Sequence, residues 1–240
     1  MPVSVLVITG TGTGVGKTVV TAGIAALAAA NGQRVAVLKP AQTGVTAAEP
    51  GDVDEVRARV AAVTTRELRR FPDPLAPDTA ARRVGMPPVR PSEVAAAVGE
   101  LGRDHDLVLV EGAGGLLVRF DPDGGTLADV AWAMGAPVVV VAEAGLGTLN
   151  ATALTTEALR RRGIVCCGIV IGSWPDAPDL ATRCNVEDLP VVAGAPLLGA
   201  VPAGAAALDP AAFAQVARAA LAPVLGGTFD AKDFADTHPA

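Results

Sequence analysis

The sequence predicts a three-layer α/β fold in a single domain, with a mostly parallel sheet flanked by helices. Three observations predict it. Short apolar runs alternate with longer helical patterns along the 240 residues. Those runs are continuously apolar rather than alternating with polar residues, so both faces of each strand are covered. No internal repeat or second core interrupts the series. Alternation of this kind argues for parallel strands joined by right-handed crossovers.

The predicted strands are Val3–Ile8, Val35–Leu38, Leu107–Val110, Pro137–Val141, Gly168–Ile171 and Leu197–Val201. Helical patterns occupy Gly16–Ala30, Pro91–Leu101, Thr126–Met134, Thr148–Arg162 and Pro210–Ala222. Their many alanines suit close packing on a sheet. The stretch Thr43–Asp104 exceeds a simple crossover. It holds a charged helical segment, Val53–Val63, and a proline-rich loop, Phe71–Pro77. Residues 1–225 are assigned to the domain. Residues 226–240 turn polar and are expected to form a loosely held tail.

Composition excludes several function classes. The net charge is −6 with no basic block, and aromatic residues make up 3 % with no Tyr, so nucleic acid is not expected as a partner. No apolar run approaches the roughly 18 residues that span a bilayer, and Met1–Thr9 lacks the basic start and cleavage site of a secretory signal. A cytoplasmic protein without membrane contact is expected. Cys166, Cys167 and Cys184 form an odd set without C-x-x-C spacing and read as buried, reduced thiols. With only His105 and His238 available, a Ser/His/Asp triad and a histidine zinc site are both disfavoured.

Gly10-Thr11-Gly12-Thr13-Gly14-Val15-Gly16-Lys17-Thr18 follows the first strand and opens the first helix. In that context, backbone amides and a helix N-terminus face an anion, as in a phosphate-binding loop. This is the signature of the P-loop NTPase fold. Lys17 would reach the outer phosphates and Thr18 would offer its hydroxyl to Mg²⁺. The strict spacing needs glycine at Thr11; here it stands one residue earlier, at Gly10, making the loop a length variant.

The run Leu107–Val110 ends in Glu111-Gly112-Ala113-Gly114-Gly115. A carboxylate emerges there at the carboxyl end of the sheet, where open α/β sheets bind ligands. Lysine usage adds a second clue. Of the 19 basic residues 16 are Arg, and the three Lys are Lys17, Lys39 and Lys232. A compact ammonium ion meets a phosphoryl group differently from a planar guanidinium. Lys39 ends the second strand, which Pro40 is expected to stop, at the same edge as Glu111. Asp52 and Asp54 open the charged helix. Either could cap it, and an acid there could complete a Mg²⁺ shell with Thr18 and Glu111.

Taken together these residues resemble the dethiobiotin synthetases, from Val5 to about Gly204. The resemblance is carried by Gly10–Thr18, Lys39-Pro40 with Thr43-Gly44, Pro74–Ala81, Glu111–Gly115 and Gly145-Leu146-Gly147-Thr148-Leu149-Asn150. It implies a homodimer, ATP and Mg²⁺. It also implies a reaction in which 7,8-diaminononanoate, CO₂ and a nucleoside triphosphate give a cyclic urea through a carbamic–phosphoric anhydride. No protein nucleophile is needed, so positioning and charge neutralisation carry the chemistry.

By the same resemblance, Lys17, Lys39 and Thr13 are catalytic, and Thr18, Asp52 and Glu111 hold Mg²⁺. Nucleotide contacts fall to Gly14, Val15, Gly16, Lys17, Thr18 and Val19, to Asp52, and to Glu111, Gly112, Ala113 and Gly114. Gly172-Ser173 and Pro202-Ala203-Gly204 complete them around the base. Thr13, Lys39, Thr43 and Gly114 face the substrate, while Gly147 and Asn150 supply a carboxylate site shared across the dimer.

Two alternatives fit less well. A chromosome-partition-type switch ATPase places a signature lysine early in its loop, where this sequence has Gly12. Amide-forming synthetases of similar architecture need a glutaminase domain, for which the chain has no room.

One departure carries a prediction. Many members have Asn where this chain has Gly172, and Asn reads the adenine edge. Glycine has no side-chain donor or acceptor, so base discrimination should be weak. Turnover with ATP, CTP and GTP is expected to fall within one order of magnitude; a hundredfold preference for ATP would contradict this.

Overall fold

The computed structural model describes residues 3–240. A seven-stranded sheet forms its centre, in the order β3-β2-β4-β1-β5-β6-β7, and every strand pair within it is parallel. The strands are β1 (Ser4–Gly10), β2 (Val35–Thr43), β3 (Thr64–Phe71), β4 (Leu107–Gly115), β5 (Val138–Ala142), β6 (Cys166–Trp174) and β7 (Leu197–Pro202). Helices α1 (Lys17–Ala30), α2 (Asp52–Arg59), α3 (Pro77–Val84), α4 (Pro91–Leu101) and α5 (Leu127–Met134) pack around it. They are followed by α6 (Thr148–Arg161), α7 (Leu180–Ala193), α8 (Pro210–Ala220) and α9 (Ala231–Thr237). All five residues of β5 are buried, as its unbroken valine run requires.

Register sets the position of the functional edge. Ile8 of β1 lies opposite Glu111 of β4, and Leu38 of β2 lies opposite Val110. Lys39 and Glu111 therefore leave the β2–β4 ladder side by side. Pro40 is expected from sequence to stop β2, but the strand continues to Thr43. Beyond Leu38 the partner is β3 alone, through Ala41, Gln42 and Thr43, so a residue without an N–H is accommodated where β4 no longer pairs.

Four elements lie outside the sequence expectation. β3 reads Thr-Thr-Arg-Glu-Leu-Arg-Arg-Phe and is too charged to announce itself as a strand. It is an edge strand, and its charges point into ion pairs: Arg66 with Glu100, Arg69 with Glu93, and Arg70 with Glu67 and Asp54. Charge on an edge discourages further strand addition. α3 begins with Pro77 in its first turn, α7 spans Leu180–Ala193 despite an internal Pro190, and α9 lies inside the stretch read as a tail. Trp174 explains the last of these. Its ring meets Phe234 edge-on at 4.9 Å and His238 at 5.0 Å, which docks α9 at the end of β6.

Candidate active site

The loop between β1 and α1 bends through Gly14 (φ 79°) and Gly16 (φ 92°), both left-handed, a conformation that costs glycine least. Thr11 N–H donates to the carbonyl of Val141 at 2.9 Å, which ties the loop to β5. Lys17 Nζ curls back and donates to Gly12 O at 2.8 Å. Gly172 of β6 backs the loop so closely that a Cβ there would overlap the carbonyl oxygen of Val15. Packing thus gives a reason for glycine at this position beyond the missing base contact.

Four charged groups converge at the carboxyl edge. Lys39 is 3 % exposed and Glu111 1 %, with Nζ to Oε1 at 2.9 Å. Lys39 also donates to Gly112 O at 2.9 Å and forms an ion pair with Asp52. Thr18 Oγ1 donates to Glu111 Oε1 at 2.9 Å. Burial alone would lower the pKa of Lys39, yet Glu111 and Asp52 together outweigh it and raise the value. Asp52 is itself penalised by burial, and Lys39 more than offsets this, holding its carboxyl below the ordinary value. Lys17 lacks such a close partner. Burial, reinforced by repulsion from Lys39, pushes it down to about 8.

The two helix-opening acids are separated by the geometry. Asp54 accepts from the Gly51 N–H at 2.9 Å and pairs with Arg70, so it caps α2. Asp52 turns to Lys39. Gln42, unnoticed in the sequence, is buried beside it, and its Oε1 accepts from Asp52 N–H at 2.9 Å. No sequence signal singles it out, because the strand is expected to end before Pro40 and only the structure shows the amide buried.

These groups border a cavity of about 720 Å³. Of the residues expected at the site, Thr13, Gly14, Gly16, Lys17, Thr18, Val19, Lys39, Thr43, Asp52, Ala113 and Gly114 line it. Gln42, Glu55, Val118 and the Pro74–Pro77 segment line it as well, none of which was named as a contact from sequence. Glu111 and Gly112 sit behind it and reach it through Lys39. Val15 is buried within the loop. Gly172, Ser173, Pro202, Ala203 and Gly204 lie outside the lining, joined by Ala203 N–H donating to Trp174 O at 2.7 Å. Gly147 and Asn150 are also outside, exposed at the start of α6.

The donor set fits a hard divalent cation. Thr18, Asp52 and Glu111 offer oxygen only, and Glu111 Oε2 is buried with no hydrogen-bond partner among the described residues. Cysteine chemistry is remote from the cavity. The three thiols are free and half-buried, less enclosed than expected, and burial pushes Cys166 up to about 11.

The AAA domain family model matches residues 4–210. An ATP-dependent dethiobiotin synthetase BioD from Saccharopolyspora erythraea is 71 % identical over 93 % of this chain and 98 % of its own length. One from Streptomyces coelicolor is 65 % identical over 98 % of each. A ParA family ATPase from Chlorobium tepidum superposes with a TM-score of 0.54 at 14 % identity, covering 90 % of this chain and 88 % of its own; that likeness extends to the fold alone.

A pH dependence follows from Lys17. Below pH 8 its ammonium form predominates, and above pH 8 the neutral amine does. Bound phosphate favours the ammonium form, so triphosphate affinity should fall about tenfold between pH 7 and 9. Calorimetry in buffers of different ionisation enthalpy should show proton uptake on nucleotide binding at pH 8–8.5. A pH-independent affinity with no proton exchange would contradict this.

Proposed function

The chain belongs to the AAA-domain family and, within it, to the ATP-dependent dethiobiotin synthetases, and from that premise we propose how its own residues carry the reaction. It is an ATP-dependent ligase of biotin biosynthesis. We propose that 7,8-diaminononanoate reacts with CO₂ to give a carbamate at one amine. A carbamate oxygen then attacks the γ-phosphorus and ADP leaves, giving a mixed anhydride. The second amine attacks the anhydride carbon, phosphate departs, and the urea ring closes.

The phosphate, metal and carbamate roles rest on groups that border the cavity or reach it. Lys17, at the start of α1, neutralises the outer phosphates beside the amides of Gly14, Val15, Gly16, Thr18 and Val19. Lys39 neutralises negative charge that grows on the carbamate and the transferring phosphoryl group. Thr13 and Thr43 orient the carbamate, and Gly114 approaches it by backbone. Thr18, Asp52 and Glu111 would hold Mg²⁺, which supplies further charge neutralisation at the phosphates. The buried, unpartnered Glu111 Oε2 supports that assignment. Gly172-Ser173 and Pro202-Ala203-Gly204 would meet the base largely through backbone, together with Ala113 and Gly112 nearer the phosphates.

We further propose a homodimer in which Gly147 and Asn150 of one protomer receive the substrate carboxylate bound beside the other's cavity. Both are exposed and outside their own cavity, and neighbouring Leu146 and Leu154 are 90 % and 59 % exposed, an apolar face in want of cover. A cytoplasmic location is proposed on the free thiols. Among the described residues no helix is long and apolar enough to cross a membrane.

The observation that carries the reading is the buried Lys39 ammonium beside a phosphate loop, with family identity of 71 % over nearly the whole chain. Phosphate release should require both diamine and bicarbonate. Lys39→Gln should lower kcat by about a hundredfold or more while nucleotide affinity changes only a few-fold, because its charge matters most as the transition state develops. Near-wild-type turnover would remove Lys39 from the reaction.

A further inference from the structure

An ammonium group has three N–H donors. Those of Lys39 face three acceptors: Glu111 Oε1, Gly112 O and the Asp52 carboxylate. None is left for a phosphoryl or carbamate oxygen. Two of the three acceptors are the carboxylates that the proposed function gives to Mg²⁺. Lys39 as seen here therefore occupies the ligands of another cation and is not aimed at a substrate.

We propose that Lys39 is the internal counter-ion of the metal site. It holds Asp52 and Glu111 together in the absence of a divalent cation. It is handed over to the reacting oxygens only when metal and nucleotide take its place. The inference rests on the metal-site reading above.

Charge supports the exchange. The two carboxylates balance the two ammonium ions, or a dication, but not all of these at once. Keeping Lys39 in place beside a dication would crowd three positive charges onto two carboxylates, with Lys17 also close by, where little water screens them. Glu111 provides the point of entry. Lys39 and Thr18 both use Oε1, so Oε2 stays buried and without a partner, ready for an incoming cation. The side chain suits the task. A flexible four-carbon stem can swing a compact charge between two sites, which a rigid guanidinium fork cannot, and this chain otherwise prefers Arg. The exchange makes metal loading the condition for placing Lys39 on the substrate. The lysine competes with metal until nucleotide phosphates add their own ligands.

The test titrates Mn²⁺ alone into the purified full-length protein and follows free Mn²⁺ by electron paramagnetic resonance. Without nucleotide, Lys39→Gln should bind Mn²⁺ at least tenfold more tightly than wild type, although its turnover is poor. Adding Glu111→Gln to that variant should abolish the gain. A folded Lys39→Gln with unchanged or weaker Mn²⁺ affinity overturns the proposal. A second measurement needs no variant. The NH₃⁺ resonance of Lys39 in the ¹⁵N-lysine-labelled wild type should lose its protection from exchange when Mg²⁺ and a non-hydrolysable ATP analogue are added together, and keep it with the analogue and a chelator. Retained protection in the presence of both also overturns the proposal. Failure of the underlying metal-site reading looks different: Glu111→Gln and Asp52→Asn would then leave nucleotide-supported Mn²⁺ binding intact.

Discussion

The pairing of a buried ammonium with a buried carboxylate governs this structure. Lys39 and Glu111 are each almost wholly removed from water, a state that neither could sustain alone. Burial opposes the charge on Lys39, and the two carboxylates restore it. Removing one member would strand the others in a poorly solvated place, at a cost of about 3–5 kcal/mol for a buried pair that loses a partner. Such an arrangement is weak as a source of stability. It keeps concentrated charge in store at the carboxyl edge, where a phosphoryl transfer between two anions can use it.

The fold brings these charges together from distant parts of the chain. Lys39 and Glu111 are 72 residues apart, and the β2–β4 register sets them side by side. β1 lies on the other side of β4, so the phosphate loop rises beside the same edge. Asp52 arrives on the first turn of α2, where Gln42 from β2 grips its backbone. The loop is held by Val141 on one side and by the close approach of Gly172 on the other. Loop, strand ends and cavity thus share one rigid frame, which fixes where the charged side chains are rooted before substrate arrives.

Much of this was legible in the sequence, for definable reasons. The central strands are continuously apolar because both faces are covered, so β1, β2, β4, β5, β6 and β7 could be read directly. β3 could not, because an edge strand satisfies its charges at the sheet margin and loses the apolar signature. α7 was obscured by Pro190, and α9 depends on Trp174 at the end of a distant strand, a contact no local pattern reveals. At the site, Lys17, Thr18 and Glu111 were readable from motif spacing, and Lys39 from its rarity among arginines. Gln42 and Val118 carry no motif, and the Pro74–Pro77 segment, though part of the resemblance, is not read from it as a contact. They join the cavity through tertiary placement alone. The residues alone leave Asp52 and Asp54 open and the resemblance favours Asp52; in the structure both open the same helix and only Asp52 pairs with Lys39.

The two lysines are best understood as a pair with different environments. Lys17 is buried without a close carboxylate, and its charge is correspondingly easy to lose; Lys39 is buried between two, and its charge is secure. The first depends on the nucleotide to remain an ammonium ion above pH 8, while the second must leave its carboxylates to be of use. The most direct measurement of the whole account is a crystal structure with a non-hydrolysable triphosphate, Mg²⁺ and the diamine bound. The account predicts the terminal phosphorus within contact reach of the side-chain nitrogens of both Lys17 and Lys39. A terminal phosphate seated away from both would contradict it.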